Sequence, residues 1–139
     1  GADGDGGGLF PIEAARNASV TANQYFAIGN GEQATLAVRL PVATSLQYLT
    51  LSTQSSSTLT VELYVNGSAS GKKVSTSSSA SATADFTSSP LSLNAGDVIA
   101  FRAADSTTSA STSIVAGWFG HDGVQGPAGP TGPAGPAIP

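Results

Sequence analysis

The chain contains no cysteine and no methionine among its 139 residues. Without cysteine, a disulfide framework, a thiolate zinc site and a cysteine nucleophile are all excluded. No apolar run approaches the roughly 18 residues of a membrane-spanning helix, and no signal peptide is visible. Because an initiator methionine is also missing, we expect a processed chain or a piece of a longer protein, so the missing signal does not bear on export.

Charge is scarce as well. Only 10% of the residues are charged, with five Lys and Arg against nine Asp and Glu. Nucleic-acid binding needs a basic patch that follows the phosphate backbone, and five cations are too few to build one. Ser and Thr instead make up roughly a quarter of the chain, well above ordinary usage. The composition predicts one domain with a real core, a hydroxyl-rich surface and no nucleic-acid partner.

Groups that carry chemistry are few. The single histidine, His121, precedes Asp122, but the sequence has no Gly-x-Ser-x-Gly elbow and its carboxylates show no paired spacing. We expect no catalytic residue, no cofactor and no metal. Three copies of His121 around a threefold axis are the alternative, metal-binding interpretation of that position.

The C-terminal residues repeat glycine at every third position. The repeat consists of Gly123, Gly126, Gly129, Gly132 and Gly135. Only glycine fits where three polyproline-II chains meet, so the period predicts a collagen-like stem of three chains. A flexible Pro/Gly linker is the alternative, although such linkers do not keep strict register. Proline follows glycine directly and never takes the third place, where hydroxyproline usually lies, which favours a bacterial or viral source.

Residues 9–120 show β-strand patterns and no helical periodicity. Asn66-Gly67 predicts a hairpin turn because both residues tolerate positive φ, Lys72-Lys73 is predicted at a hairpin tip, and Asp97 is predicted to form a turn after Gly96. Short strands at this spacing indicate an antiparallel sandwich or barrel. The predicted strands are 34–40, 46–53, 58–65, 82–86, 98–102 and 113–119.

The last predicted strand is apolar on both faces. Val115 and Phe119 alternate with Ile114 and Trp118, whereas a half-buried strand should carry one polar face. We interpret the outer face as lying against neighbouring subunits near a threefold axis, with Ile114, Trp118 and Phe119 as candidate interface residues. A central strand covered by its own loops is the alternative. Tyr64 and Trp118 are also candidate glycan contacts, because sugar sites use exposed aromatic rings.

Two stretches carry a resemblance to a known group of proteins. Residues 58–67 run Thr-Leu-Thr-Val-Glu-Leu-Tyr-Val-Asn-Gly, and residues 91–101 run Leu-Ser-Leu-Asn-Ala-Gly-Asp-Val-Ile-Ala-Phe. This resembles the trimeric jelly-roll heads with collagen-like stems of bacteriophage fibres, bacterial spore-surface filaments and the complement/tumour-necrosis-factor-like superfamily. The resemblance spans roughly residues 12–137, but here the stem follows the head. That order implies an internal fibre module or a domain that starts the triple helix.

Three segments are therefore expected. Residues 1–8 form a glycine-rich linker or the end of an upstream collagen-like tract, residues 9–120 a jelly-roll-like β-sandwich head, and residues 121–139 the stem. We expect a non-enzymatic structural module of a virion fibre or capsid decoration, or alternatively a carbohydrate- or receptor-binding head of a tail fibre or bacterial filament. The expected location is the virion or cell surface, and the expected partners are two further copies, other virion or filament proteins and, in the alternative, a cell-surface glycan.

The glycine period predicts a homotrimer. Sedimentation equilibrium at micromolar concentration should return three times the chain mass of 13.6 kDa, because a single collagen-like chain has nothing to pack against. A monomer would contradict this prediction.

Overall fold

The described part of the chain folds into nine β-strands. The computed structural model describes residues 8–16, 20, 22–26, 38–104 and 111–120, and it contains no helix within them. The strands are β1 (Phe10–Arg16), β2 (Val38–Arg39), β3 (Thr44–Ser57), β4 (Thr60–Val65), β5 (Ser68–Ser75), β6 (Ser79–Asp85), β7 (Leu91–Leu93), β8 (Val98–Ala103) and β9 (Ser113–Gly120).

The strands form two antiparallel sheets. The first sheet has the order β1-β9-β3-β6, with the short β7 also paired to β3, and the second has the order β2-β8-β4-β5. Consecutive strands mostly alternate between the sheets. The pairing of the strands is nested along the chain: β1 pairs with β9, β2 with β8, β3 with β6 and β4 with β5. The predicted all-β class and antiparallel β-sandwich are consistent with this arrangement.

The core lies between the two sheets. In β4, Leu59 (just before the strand), Val61 and Leu63 are fully buried, as the period-2 pattern of residues 58–65 predicts. The same alternation turns one face of β3, β8 and β9 inward. The largest buried side chains from these strands are Leu46, Leu49, Leu51, Ile99, Phe101, Val115 and Phe119.

Gly117 makes room for two aromatic rings inside the sandwich. A Cβ added there would lie 2.7 and 2.9 Å from ring atoms of Phe119 and 3.3 Å from the ring of Phe101. The Phe119 ring also stacks on Phe10 of β1, with ring centroids 5.8 Å apart. A side chain at position 117 would therefore displace a ring that has no free space around it.

The Asn66–Gly67 hairpin is confirmed, and the predicted hairpin tip at Lys72-Lys73 is wrong. Asn66 and Gly67 have φ of 52° and 84° and join β4 to β5, which contains both lysines. The pattern of β5 is hard to recognise because, of its eight residues, only Val74 is buried. β1 also lacks a clear alternation signal, since Pro11 and two alanines interrupt it.

The remaining strand predictions agree with the structure in existence and differ in length. β3 has 14 residues and extends past both ends of the predicted segment 46–53, and β2 has two. Residues 34–37 of the predicted segment 34–40 lie outside the described residues, as do residues 121–139 with the five stem glycines.

Gly117→Ala should destabilise the fold by about 1–3 kcal/mol, the usual cost of overpacking a core. Gly120→Ala on the same strand is the matched control, because its added Cβ would come no closer than 3.5 Å to its neighbours, in ordinary contact. Urea unfolding of both variants checks this. Equal midpoints would show that the Phe119 ring can move aside.

Candidate functional site

The outer face of the first sheet carries an apolar row across three strands. Pro11 of β1 pairs with Trp118 of β9, and Trp118 pairs with Tyr48 of β3. The burial pattern places all three side chains on the outer side of the sheet, opposite the core. We call Pro11, Trp118 and Tyr48 the aromatic row. Trp118 and Tyr48 are both partly exposed.

Trp118 lies along the sheet rather than standing away from it. Its indole Nε1 donates a hydrogen bond of 2.9 Å to Oγ1 of Thr50, in the next cross-strand row. Ala116 pairs with Thr50 in that row and is only 6% exposed. Ile114 follows on the same face and is 52% exposed. The outer face is therefore apolar along β9, and along β3 it carries Tyr48 and hydroxyl side chains.

Of the three candidate interface residues, two lie on this face and one does not. Phe119 is fully buried and belongs to the core between the sheets, so its side chain is not available to a neighbouring subunit. Side chains alternate between the two faces of β9, so Phe119 lies on the opposite face from Ile114 and Trp118. The sequence pattern already shows this separation.

Tyr64 occupies a different surface, the outer face of the second sheet. The Arg102 guanidinium lies 5.2 Å from the Tyr64 ring centroid and 5.4 Å from that of Tyr25. Arg102 also donates a 2.8 Å hydrogen bond to the Tyr64 hydroxyl and reaches the carbonyl of Asn23 at 3.4 Å. This cluster fixes the segment around Tyr25 against the sheet. The Tyr64 ring is therefore engaged within the subunit rather than presented as a free platform.

The described residues contain no group of three or more His, Asp or Glu side chains close enough to hold a metal ion. Glu62 is 7% exposed. Its carboxylate accepts a 2.8 Å hydrogen bond from the Gly71 amide and so links β4 to β5 where the register of their pairing shifts. His121 and Asp122 lie outside the described residues.

Depressions in the surface are lined by described residues on both sheets. An apolar groove of about 240 Å³ opens between the edge strands β1 and β2 and is lined by Phe10, Ile12, Val38, Leu40, Pro41, Val42 and Thr44. A second depression of about 360 Å³ lies at one end of β3 and β9 and is lined mainly by hydroxyl and amide side chains around the exposed Ile114. Neither contains a cluster of titratable groups.

Asp97 performs the turn role that its position predicts. Its carboxylate accepts hydrogen bonds from the Asn94 amide at 2.8 Å and from the Asn66 side-chain amide at 3.1 Å. These bonds, the Asn94 one foremost, hold the pKa of Asp97 below its ordinary value. Asn66 in turn accepts from the Val98 amide at 2.9 Å. The carboxylate thereby ties the turn before β8 to the hairpin after β4.

Several of these contacts carry no sequence signal. The pairing of Arg102 with Tyr25 and Tyr64 joins residues 77 and 38 positions apart, and Thr50 and Trp118 are 68 positions apart. No spacing rule connects residues that only the nested strand order brings together.

No family model matches this chain, and no curated protein matches it in sequence. In the described part of the chain, no helix is long and apolar enough to cross a membrane.

Asp97→Asn should be less stable than the wild type at neutral pH, and the difference should shrink in acid. A carboxylate with a lowered folded-state pKa contributes stability above the unfolded-state pKa of about 3.9, and this contribution disappears as pH falls through the folded-state value. Urea midpoints at pH 7 and pH 3 measure both differences. A difference that stays the same at pH 3 would contradict the charged role of Asp97.

Proposed function

We propose that this protein is a non-enzymatic structural module of a virion fibre or capsid decoration, in which three copies of a jelly-roll head start and anchor a collagen-like stem. The observation that carries the proposal is the position of β9. This strand is central in the first sheet, bears Trp118 and Ile114 on its outer face, and ends at Gly120, three residues before the glycine repeat begins at Gly123.

The nested pairing supports the jelly-roll assignment. A jelly roll is a double sheet of about eight strands built from two Greek keys. Winding one long antiparallel ribbon around a core gives such a structure, and it pairs the first strand with the last, the second with the next to last, and so inward. The order of the two sheets follows this scheme, with β7 as a short addition beside β3.

The length of the connection supports a threefold assembly on the face of the first sheet. Three residues span at most about 10 Å, and in a triple helix the glycines lie at the common axis. In the proposed stem, each β9 must therefore end within about 10 Å of that axis. The strand nearest the axis would then be the strand that exposes Ile114 and the Trp118 ring, and these side chains would become buried between subunits.

The character of the outer face fits such a contact. Aromatic residues are enriched and charged residues depleted at the cores of protein interfaces. The aromatic row and Ile114 provide the apolar centre, while Thr50 and Ser52 of β3 add hydroxyl groups next to it. Five unhydroxylated triplets are short for a triple helix, so contacts between heads would supply most of the stability of the trimer.

Carbohydrate or receptor binding is the second candidate function, and the partial exposure of Trp118 and Tyr48 beside the Thr50 hydroxyl favours it. An aromatic ring with adjacent hydroxyl groups can stack on a sugar and hydrogen-bond to it. The same residues cannot serve both functions, because an interface would cover them. In either case the protein would act at a virion or cell surface, together with other virion or filament proteins.

Two variants test the structural proposal. Trp118→Ala should weaken assembly, so that the melting temperature depends on protein concentration over a range where the wild type does not dissociate. Gly129→Ala should reduce the triple-helix circular dichroism signal while the heads remain trimeric, because the head supplies the main contacts.

Tyr64→Phe is the control, since it lies on the opposite sheet and should leave the trimer unchanged. A Trp118→Ala variant that assembles normally but loses binding on a glycan array would favour the second function. Dissociation caused by Gly129→Ala would show that the stem holds the heads together, contrary to the proposal.

A further inference from the structure

In the described part of the chain, the two sheets have four edges, and they differ in how they are protected. β1 and β6 are the edges of the first sheet, and β2 and β5 are those of the second. An edge strand presents unpaired N–H and C=O groups that can pair with another chain, and proteins usually block this with proline, lysine, bulges or very short strands.

Three of the edges carry such protection. β1 contains Pro11, which has no amide hydrogen, and the charged Glu13. β2 has only two residues and is closely followed by Pro41. β5 carries Lys72 and Lys73 beside Gly71, whose φ is +86° at a register irregularity.

β6 carries only one of these features, a register irregularity in its pairing with β3 between Ser79 and Ser81. Its sequence is Ser-Ala-Ser-Ala-Thr-Ala-Asp, with no proline, no lysine and a single charge at Asp85, the last residue. Its pairing with β3 runs without irregularity from Tyr48 opposite Asp85 to Ser52 opposite Ser81. Among the described residues, no strand pairs with its other side.

The hydrogen bond after the strand shows which amides point to the free side. The Phe86 amide donates to the Gln47 carbonyl at 2.8 Å, so the backbone N–H of Phe86 points toward β3. Because the direction of backbone groups alternates along a strand, the N–H and C=O groups of Ala84 and Ala82 also point toward β3. The N–H and C=O groups of Ser81, Thr83 and Asp85 point to the free side. The Ser81 carbonyl already accepts a 2.9 Å bond from the Ser79 hydroxyl, but a carbonyl oxygen has a second lone pair.

We propose that β6 pairs with β6 of a second copy of this chain, antiparallel about a twofold axis at Thr83. In this register the two Thr83 residues form the central pair, and each Asp85 lies opposite Ser81 of the other copy. The three outward-facing residues of each strand would then form about six backbone hydrogen bonds.

The distribution of charge selects this partner and this direction. Antiparallel pairing separates the two Asp85 carboxylates by four residues, about 13 Å, and places each beside a serine hydroxyl. Parallel pairing in register would put the two carboxylates side by side, which is destabilising. All side chains of β6 are small, so they do not themselves hinder the approach of a second strand.

The edge contact and the proposed trimer contact use different groups. The edge contact uses the outward backbone groups of β6, whereas the side chains of Ser81 and Thr83 lie on the outer face of the first sheet, paired with Ser52 and Thr50 of β3. The pairing doubles the proposed trimer when its twofold axis crosses the threefold axis at a right angle. A short strand pair is weak in water, so we expect single trimers at micromolar concentration and doubled particles as the concentration approaches the millimolar range.

The test compares Thr83→Pro with Thr83→Val by sedimentation equilibrium from micromolar to millimolar concentration. The wild type and Thr83→Val should double in mass, since valine keeps the amide and the β-branched shape. Thr83→Pro should not, because it lacks the amide that faces outward, and proline is tolerated on the free side of an edge strand. Far-ultraviolet circular dichroism and melting of each variant establish that the head is folded.

Absence of doubling in the wild type, or equal doubling in folded Thr83→Pro, would overturn the proposal. The comparison is relative to the low-concentration species, so it remains valid if that species is a monomer and the proposed trimer fails.

Two substitutions at Ser81 test the register. Ser81→Lys would face Asp85 of the other copy at both ends and should strengthen association up to about tenfold at low salt, while Ser81→Asp should weaken it to a similar extent, as expected for two cross-strand charge pairs. The opposite order, or no effect of either variant, would rule out antiparallel pairing centred on Thr83.

Discussion

The packing of the Phe119 and Phe101 rings against Gly117 of β9 determines how the two sheets fit together. Phe119 turns inward from the central strand of the first sheet, and its ring lies over Gly117 and against Phe10. Phe101 approaches the same glycine from the second sheet. The inner side of β9 is therefore occupied by core packing, and Trp118 and Ile114 lie on its outer side.

Strands whose inward residues are large and apolar could be predicted from the sequence. The segment 58–65 alternates cleanly, and the hairpin after it has a turn sequence that permits little else. β5 and β6 gave weak signals for a physical reason: they are edge strands built from serine, alanine and lysine, so they bury little apolar surface. Lysines in such a strand resemble a solvated turn, which explains the error at Lys72-Lys73.

The candidate surfaces could be predicted only in part. Trp118 and Ile114 follow from the apolar outer side of the last strand, but the partners of these residues do not. Thr50 lies 68 positions from Trp118 and Asn66 lies 31 positions from Asp97, and each pair meets only through the order of strands in a sheet. The interface prediction groups Phe119 with Ile114 and Trp118 although side chains alternate along the strand, so the three residues cannot share one face.

The pairing of β1 with β9 has a consequence for how the chain reaches its folded state. β9 lies between β1 and β3, so the first sheet cannot be completed until this strand has been synthesised, and contacts between distant parts of a chain form slowly. During synthesis, β3 can pair with β6 and β4 with β5, but β1 has no partner among the described strands until β9 emerges, and unpaired strand edges are prone to aggregation. The glycine repeat begins three residues after β9 ends, so it is synthesised directly after the strand that completes the first sheet.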